Sequence, residues 1–478
     1  MVNPAQEVGV VTTPRSANGT ESVSRSSCPL PLLHLLLCKW LFLSLTMESF
    51  LSLPHRIAVY WEVVSRPLID LEVVKQLAFQ GIPDDYALRS LYWKLLLGYL
   101  SPDSTEWPQA CLKQRDIYHQ YCRDFALAHD SLRVGLEENF ASEIASLHVA
   151  EADNTGNTGD AAANPTSLAT SDHPLSLNPS SQWASFFQDT ELLAEISRDI
   201  PRTHPEAHGF NRESLDGQQK QAALTRILFV WGKLNAIGYV QGMNEVLFPL
   251  YYVFSHVNVN VNDKGRCALA RAEGDNVRKM MPLLTCGAEE DTFFCFNAVM
   301  TVLRDLYTEF LDGSIQHGPI SSGSASAAPP RPFALESAEE GTGLHATLSR
   351  FSRLLHTYAE TVYLHLESME IEPHYYALRW LTLLLAKEFS LPDIMRLWDS
   401  VFSFREYALD YVLFLGLSLV LEVKDSILSC DFASALELLQ NLPPLDVVVV
   451  LEKAELLMRK SGMYALKPPL LLSRVSTL

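Results

Sequence analysis

Several patterns that would indicate an enzyme with its own active site are missing from this sequence. None of its 8 cysteines forms a C-x-x-C pair, so neither a zinc site nor a disulfide framework is indicated, and structural thiols in a reducing cytoplasm are expected. There is no G-x-S-x-G, no H-E-x-x-H and no glycine-rich phosphate loop with a lysine. These absences argue against a hydrolase with a nucleophile or metal of its own.

Positive charge is also scarce. The chain of 478 residues has 37 basic and 56 acidic side chains, which gives a formal net charge of −19, and no run of Lys or Arg occurs. Because an excess of negative charge repels phosphate backbones, we do not expect the protein to bind nucleic acid.

A hydrophobic run long enough to span a bilayer is lacking as well. The leucine-rich stretch CPLPLLHLLLCKWLFLSLT is interrupted by His34 and Lys39, which leaves fewer than the roughly 20 apolar residues that a spanning helix needs. Arg15 and Arg25 precede it, as in a secretory signal, but no small-residue cleavage pattern follows. We favour translation that begins at Met47, with residues 1–46 an extension outside the fold, and membrane association of this segment is the second interpretation.

Strand patterns are rare, and helical spacing dominates from Met47 onward. The exception, VNVNVND at 257–263, fits a polar loop equally well. With 48% hydrophobic residues there is ample material for a large core. The sequence therefore predicts an all-α fold. The predicted helices include LRSLYWKLLLGYL, TELLAEISRDI with a start at Asp189–Thr190, QAALTRILFVWGKL, Asp291–Thr308, Leu344–Leu366, Tyr375–Glu388, Leu391–Phe402 and several between Tyr407 and Lys460, of which DYVLFLGLSLVLEV is apolar nearly all round.

Two stretches are poor in large apolar residues and rich in Ser, Gly, Pro and Ala. They cover residues 150–171 and 313–343. Neither can bury enough surface to offset the entropy of ordering it, and similar helical patterns flank both. We therefore expect two disordered loop insertions in a single large helical domain.

Two polar side chains stand at predicted helix boundaries. In EISRDIPRTHP, Pro201 should end the helix, which leaves Arg202 at its exit, and Asp199 is close enough to accept a hydrogen bond from the guanidinium. In GYVQGMNEVLF, Gly242 permits a tight turn, which leaves Gln241 projecting from it. Taken singly, the simpler explanations are favoured, namely a solvated ion pair for Arg202 and a turn residue that bonds its own backbone for Gln241.

Together these residues resemble the two signature motifs of the TBC domain family of Rab GTPase-activating proteins. I-x-x-D-x-x-R stands as Ile196, Asp199 and Arg202, and Y-x-Q-G as Tyr239, Gln241 and Gly242. The opening GIPDDYALRSLYW and the closing RWLTLLLAKEFSLPDIMRLWD are also similar to the family. The closing block contains the structural motif residues Arg379, Trp380, Trp398 and Asp399, and it departs from many relatives in having Lys387 in place of arginine.

The resemblance implies a division of the chain. A helical lead-in at 47–79 would precede a Rab-GAP domain at 80–405, with C-terminal helices at 406–478 packed on it. It also implies a function, since in this family the arginine and the glutamine enter the active site of a Rab and accelerate its GTP hydrolysis. Arg202 and Gln241 would be the catalytic residues, Asp199 would orient the arginine, and Asn244 would brace the loop. The partner would be a GTP-bound Rab that carries its own nucleotide and Mg²⁺, so no cofactor, no metal site and no independent hydrolase activity are expected.

The resemblance further implies a cytoplasmic protein that reaches vesicle membranes through the Rab. A different class remains open, namely a catalytically inert helical module that holds a Rab as an adaptor. The presence of both side chains favours activity. Which Rab is the target, and the oligomeric state, do not follow from the sequence.

Overall fold

Helices make up nearly all the regular structure of the residues that can be described. The computed structural model describes residues 53–126, 182–207, 209–211, 213–257, 286–313 and 343–462. Its α-helices are α1 (Leu53–Val64), α2 (Leu71–Gln80), α3 (Tyr86–Leu96), α4 (Trp107–Tyr121), α5 (Gln182–Asp199), α6 (Leu215–Leu234), α7 (Met243–Ser255), α8 (Ala288–Gly313), α9 (Leu344–Tyr358), α10 (Glu360–Ser368), α11 (Ala377–Thr382), α12 (Leu391–Phe404), α13 (Ala408–Glu422), α14 (Lys424–Ser429), α15 (Phe432–Gln440) and α16 (Val447–Lys460). Within these ranges the only extended pairing is a single bridge between Leu68 and Asp103. The predicted all-α fold is confirmed.

Helix boundaries follow local capping chemistry. Asp70, Asp85 and Asp446 each precede a helix and accept a hydrogen bond from a backbone N–H of its first turn, at α2, α3 and α16. Such caps satisfy donors that the helix itself leaves unpaired. The α3 helix then buries the apolar face that the spacing predicts, made of Leu88, Leu91, Tyr92, Leu95 and Leu96.

A buried carboxylate joins the first helices to the last third of the chain. Asp399 of α12 accepts hydrogen bonds from the Trp93 indole at 2.8 Å and from the Ile82 backbone N–H at 3.0 Å, and it pairs with Arg89 at 3.2 Å. Burial raises the pKa of Asp399, and the Arg89 guanidinium opposes that shift. Asp399, a residue of the closing motif, therefore stabilises the fold, since all these partners lie in the core.

A second buried carboxylate anchors the start of α8. Asp291 lies 2.7 Å from Lys94 Nζ and 3.0 Å from Arg115 Nη2, and it accepts a hydrogen bond from the Tyr99 hydroxyl. Burial alone would raise the pKa of Asp291, but the two cations outweigh it, so the pKa lies below its usual value. The pair of cations thus keeps Asp291 ionised in the core.

The C-terminal helices pack on the rest. Residues 411–420 of α13 are all buried, as the apolar sequence of this stretch predicts, and α16 packs along α13. Helix α2 packs on α12. The boundaries 47–79, 80–405 and 406–478 stay a prediction.

Three predicted helix boundaries are wrong. Helix α5 begins at Gln182 rather than at Asp189–Thr190, because Asp189 binds Lys233 of α6 instead of capping a helix. The predicted helix Leu344–Leu366 is two helices, since the backbone leaves helical geometry at Ala359 with a φ of −141°.

The third correction concerns the segment between α11 and α12. The predicted helix Tyr375–Glu388 is replaced by a 3₁₀ turn at Pro373–Tyr375 and the short α11, which ends at Thr382. Leu384 and Leu385 then adopt left-handed backbone angles, with φ of 48° and 63°. Both side chains are buried, so packing overrides the helical preference of the leucines.

Four predicted segments fall outside the described residues. They are the extension 1–46, the loop 150–171 and, apart from Val257 and the terminal residues 313 and 343, the stretches 257–263 and 313–343. Among the helices that are described, none combines the length and apolar character needed to cross a bilayer.

Candidate functional site

Arg202 and Gln241 line the same open cleft, which has a volume of about 890 Å³. Both side chains are exposed. They stand 39 positions apart in the sequence (241 − 202), and the fold brings them to one cleft.

Arg202 is presented by a short turn at the end of α5. The helix is anchored in the core by Ile196, and Ile200 after it is also buried. Pro201 then allows only one 3₁₀ turn, Ile200–Arg202, before Thr203 becomes extended. In the described part of the chain the Arg202 side chain takes part in no hydrogen bond and no ion pair, so its guanidinium is available to a group from outside.

The predicted hydrogen bond from Arg202 to Asp199 is not present between these described residues. Asp199 Oδ2 instead accepts a hydrogen bond of 2.8 Å from the Tyr239 hydroxyl. The physical reason is burial: a buried hydroxyl loses free energy without a partner, whereas an exposed guanidinium is hydrated. Asp199 therefore contacts the Gln241 loop rather than the arginine that follows it.

Gln241 precedes Gly242, whose backbone conformation and close packing only a glycine accommodates easily. Gly242 has a φ of 106°, and a Cβ placed on it would lie 2.9 Å from Leu383 Cδ2. Directly after it Met243 is buried and α7 begins, continuing through Pro249 to Ser255. The loop is therefore fixed on its helical side while the Gln241 side chain projects into the cleft.

Asn244 connects this loop to the arginine turn. Its Oδ1 accepts the Gly242 backbone N–H at 3.1 Å, and its Nδ2 donates to Thr203 Oγ1 at 2.8 Å. Thr203 in turn donates to the Asp199 backbone carbonyl at 3.0 Å. The two exposed side chains thus stand on loops that are bonded to each other.

Sequence reasoning missed a charged pair under the same loop. Glu245, in the first turn of α7, is buried, and its Oε1 lies 2.6 Å from Lys387 Nζ. Both residues line the cleft. The available signal was a glutamate at the head of the apolar stretch VLFPLYY, because a carboxylate among buried residues requires a partner.

The other motif residues lie in the walls or the core. Trp380 and Trp398 are buried, and the Trp398 indole donates to the Leu384 carbonyl at 3.0 Å. Arg379 lines the cleft and binds Glu388 through two nitrogens, at 2.8 and 3.0 Å. These residues shape the cleft and do not present a free functional group to it.

Nothing in the described ranges resembles a metal site, since they contain no group of three or more His, Cys, Asp or Glu side chains placed to hold an ion. Among the residues that line the cleft, Arg202 and Gln241 are an exposed arginine and an exposed amide that both stand on loops held from behind. The family model of the Rab-GTPase-TBC domain matches residues 178–317 and 336–428, which include both loops and most of the residues that line the cleft. The chain belongs to this family.

Curated TBC proteins are similar over most of the chain. TBC1 domain family member 13 from Homo sapiens is 28% identical, with 84% of this chain and 97% of the relative covered. TBC1 domain family member 5 from Homo sapiens is 26% identical, with 78% of this chain and 41% of the relative covered. Family membership supports activation of a Rab GTPase.

The TBC fold is also found among solved structures. The crystal structure of the Ypt/Rab-GAP domain of Gyp1p matches with a TM-score of 0.56 at 19% identity, and the match covers 87% of this chain and all of that one. At this identity the likeness shows the fold alone.

Proposed function

We propose that this TBC protein accelerates GTP hydrolysis by a Rab GTPase and that it does so by inserting Arg202 and Gln241 into the active site of the GTPase. The observation that carries the proposal is that both side chains line one cleft and are exposed there, on loops bonded to each other.

The chemistry of phosphoryl transfer fits these two groups. Charge spreads over the oxygens of the γ-phosphoryl group in the transition state, while a water molecule attacks in line. A guanidinium can neutralise that charge through its fork of N–H donors, and an amide can both accept from and donate to the water. Arg202 would serve the first purpose and Gln241 the second.

The roles of the remaining residues follow from their contacts. Tyr239, Asp199 and Asn244 would hold the two loops in register, and Gly242 would allow the turn. GTP and Mg²⁺ would be carried by the Rab, so the protein would need no cofactor of its own and would hydrolyse no GTP when alone. Through the Rab it would act at vesicle membranes from the cytoplasm and so regulate vesicle trafficking.

The proposal is tested by phosphate release from a panel of purified GTP-loaded Rabs under single-turnover conditions. On the responsive Rab, Arg202→Ala should lower the stimulated rate by roughly 10³-fold or more, because an arginine supplied in trans is worth that much in hydrolysis. Arg202→Lys should restore little, since an ammonium lacks the planar fork. Wild-type stimulation by Arg202→Ala would contradict the proposal.

The alternative is an inert module that only binds a Rab. It predicts saturable binding to the GTP-bound form with no change in hydrolysis by any Rab of the panel. The unpartnered state of Arg202 among the described residues favours the catalytic function, because a binding surface alone does not require an arginine and an amide to be presented together.

A further inference from the structure

We infer that Lys387 is a positioning residue for Gln241, and that it acts by holding Glu245, and with it the first turn of α7, in the arrangement that presents the amide to the cleft. The inference rests on the proposed function, since it assigns a role relative to Gln241.

Glu245 is a buried carboxylate whose nearest cation is Lys387. Its Oε1 lies 2.6 Å from Lys387 Nζ and accepts a hydrogen bond of 3.2 Å from Asn244 Nδ2. Its Oε2 faces His204 Nε2 at 3.6 Å, which is too far for a hydrogen bond, and has no hydrogen-bond partner among the described residues. Because a buried charge is stable only when it is paired, the orientation of Glu245 depends on Lys387.

Glu245 in turn belongs to the Gln241 loop. It stands four residues after Gln241, and its backbone N–H bonds to the Gly242 carbonyl at 2.9 Å. Its neighbour Asn244 holds Gly242 from one side and Thr203 from the other. A shift of the Glu245 carboxylate would therefore move the residues that fix Gln241.

The segment 383–387 approaches this loop at two points. Leu383 packs so close to Gly242 that a Cβ on the glycine would lie 2.9 Å from Leu383 Cδ2. Lys387 pairs with Glu245. Between these two contacts Leu384 and Leu385 have φ of 48° and 63°. Backbone angles of this kind persist only where the surroundings hold them, and they occur preferentially at functional sites. The strained turn places both contacts against the Gln241 loop.

A direct contact between Lys387 and the GTPase is the competing explanation, because 41% of the Lys387 side chain is exposed in the cleft. The two explanations differ in what they change. Loss of a positioning residue lowers the rate at saturation, whereas loss of a docking contact raises the concentration needed for saturation.

The experiment measures single-turnover phosphate release against the concentration of Lys387→Met, which keeps the length of the side chain and removes its charge. We expect the saturating rate to fall on the order of 10-fold to 100-fold, because small misplacements of catalytic groups have effects of this size, with the half-saturating concentration unchanged. Lys387→Arg should restore most of the rate, since it keeps a cation within reach of Glu245.

Coupling to Gln241 provides the sharpest test. If Lys387 acts through Gln241, the double variant Lys387→Met/Gln241→Ala should be no slower than Gln241→Ala alone. Hydrogen exchange at the amides of Gly242 and Asn244 should also quicken in Lys387→Met in the absence of any Rab. A rise in half-saturating concentration, or additive losses in the double variant, would overturn the inference.

Lys453→Met is a matched control. Lys453 is 35% exposed, pairs with Glu422 and lies outside the cleft lining, so its replacement removes the same chemistry elsewhere. It should leave stimulation at the wild-type level, and an equal loss in this control would assign the effect to general stability. The proposed function fails separately, if Gln241→Ala itself stimulates like the wild type.

Discussion

The hydroxyl of Tyr239 donates a hydrogen bond of 2.8 Å to Asp199 Oδ2 and so joins the loop that carries Gln241 to the turn that carries Arg202. The same hydroxyl lies 3.1 Å from Asn244 Oδ1. Burial, with the Asp199 carboxylate beside it, raises the pKa of Tyr239 above its ordinary value, which keeps the hydroxyl protonated as a donor. Two residues of the signature motifs therefore bond to each other, beside the exposed side chains.

Tyr239→Phe should weaken stimulation without unfolding the protein. The ring is kept in the core, and the hydroxyl that bonds to Asp199 is lost, while the bond between Asn244 and Thr203 stays. We expect the stimulated rate to fall about tenfold, which corresponds to about 1.4 kcal/mol and is typical of one hydrogen bond. Tyr363→Phe is the control, since that hydroxyl donates to the Glu367 carboxylate at the exposed surface of α10. An unchanged rate in Tyr239→Phe would show that the bond does not orient the loops.

Substitutions at two glycines near Gln241 distinguish the effect of backbone strain from the effect of a close contact with Leu383. Gly238 and Gly242 both have positive φ, of 68° and 106°, but only at Gly242 would a Cβ meet another atom within 4 Å. Gly238→Ala should cost about 1 kcal/mol of stability and keep full stimulation. Gly242→Ala should cost at least as much in thermal or urea unfolding and also lower the stimulated rate, because the loop must move away from Leu383. Equal activities of the two variants would contradict this reading of the contact.

Much of the fold could be predicted because the helices obey local rules. The buried face of α3 follows from spacing, the burial of α13 from its uniform apolarity, and the end of α5 from Pro201. The start of α5 could not be predicted, because Asp189 has the chemistry of a cap and only tertiary structure offers it Lys233. The left-handed Leu384 is a similar case, since local propensity favours a helix there.

For the site too, local features could be predicted from the sequence and long-range contacts could not. Local chemistry placed Arg202 at a helix exit and Gln241 at a glycine turn, which agrees with the structure. The predicted partner of Asp199 is wrong. Local spacing favours Arg202, three residues on, whereas the structure places the Tyr239 hydroxyl, 40 residues on, against Asp199. Lys387 and Glu245 are 142 residues apart (387 − 245), so no local pattern could pair them.

The two buried carboxylates should affect stability with opposite pH dependence. The pKa of Asp291 is lowered in the fold, so its contribution is present above the unfolded pKa and is lost as pH falls through the lower folded value. The pKa of Asp399 is raised, so its contribution is present below the unfolded pKa and is lost as pH rises through the folded value. The measurement is urea unfolding of wild type, Asp291→Asn and Asp399→Asn from pH 7 to pH 3. The difference in unfolding free energy between wild type and each variant should change with pH in opposite directions for the two variants.

At neutral pH Asp291→Asn should be the more damaging of these variants. It removes the buried carboxylate that pairs with Lys94 at 2.7 Å and with Arg115 at 3.0 Å, and removal of one partner from such a group typically costs about 3–5 kcal/mol. If Asp291→Asn does not fold, Tyr99→Phe provides the milder test, because it removes only the hydroxyl that donates to Asp291. Acid loss of stability should then begin at a higher pH, and an unchanged acid profile would contradict the assignment.

Tyr375 is expected to contact the Rab at the cleft wall. It lines the cleft and is 47% exposed, and its ring packs at a tilt of 41° against His374 with centroids 3.9 Å apart. Gln440 Nε2 donates a hydrogen bond to its backbone carbonyl at 3.0 Å. Exposed tyrosines on rigid walls are frequent hot spots of interfaces. Tyr375→Ala should raise the half-saturating concentration on the order of tenfold with little change in the saturating rate. Tyr407→Ala, 51% exposed and outside the cleft lining, should change neither.

The final prediction concerns the glutamine that a GTPase normally uses to orient the attacking water. If Gln241 supplies this amide in trans, the glutamine of the Rab becomes redundant. A Rab with Gln→Leu at that position should then hydrolyse GTP poorly alone and yet respond to this protein, whereas Gln241→Ala should fail on the wild-type Rab although Arg202 is intact. Arg202→Ala/Gln241→Ala should be little slower than either single variant, because groups acting on one transition state are not additive. Single-turnover phosphate release across these combinations decides the assignment: full stimulation by Gln241→Ala, together with a complete block by the Rab substitution, would make Gln241 a turn residue that satisfies its own backbone.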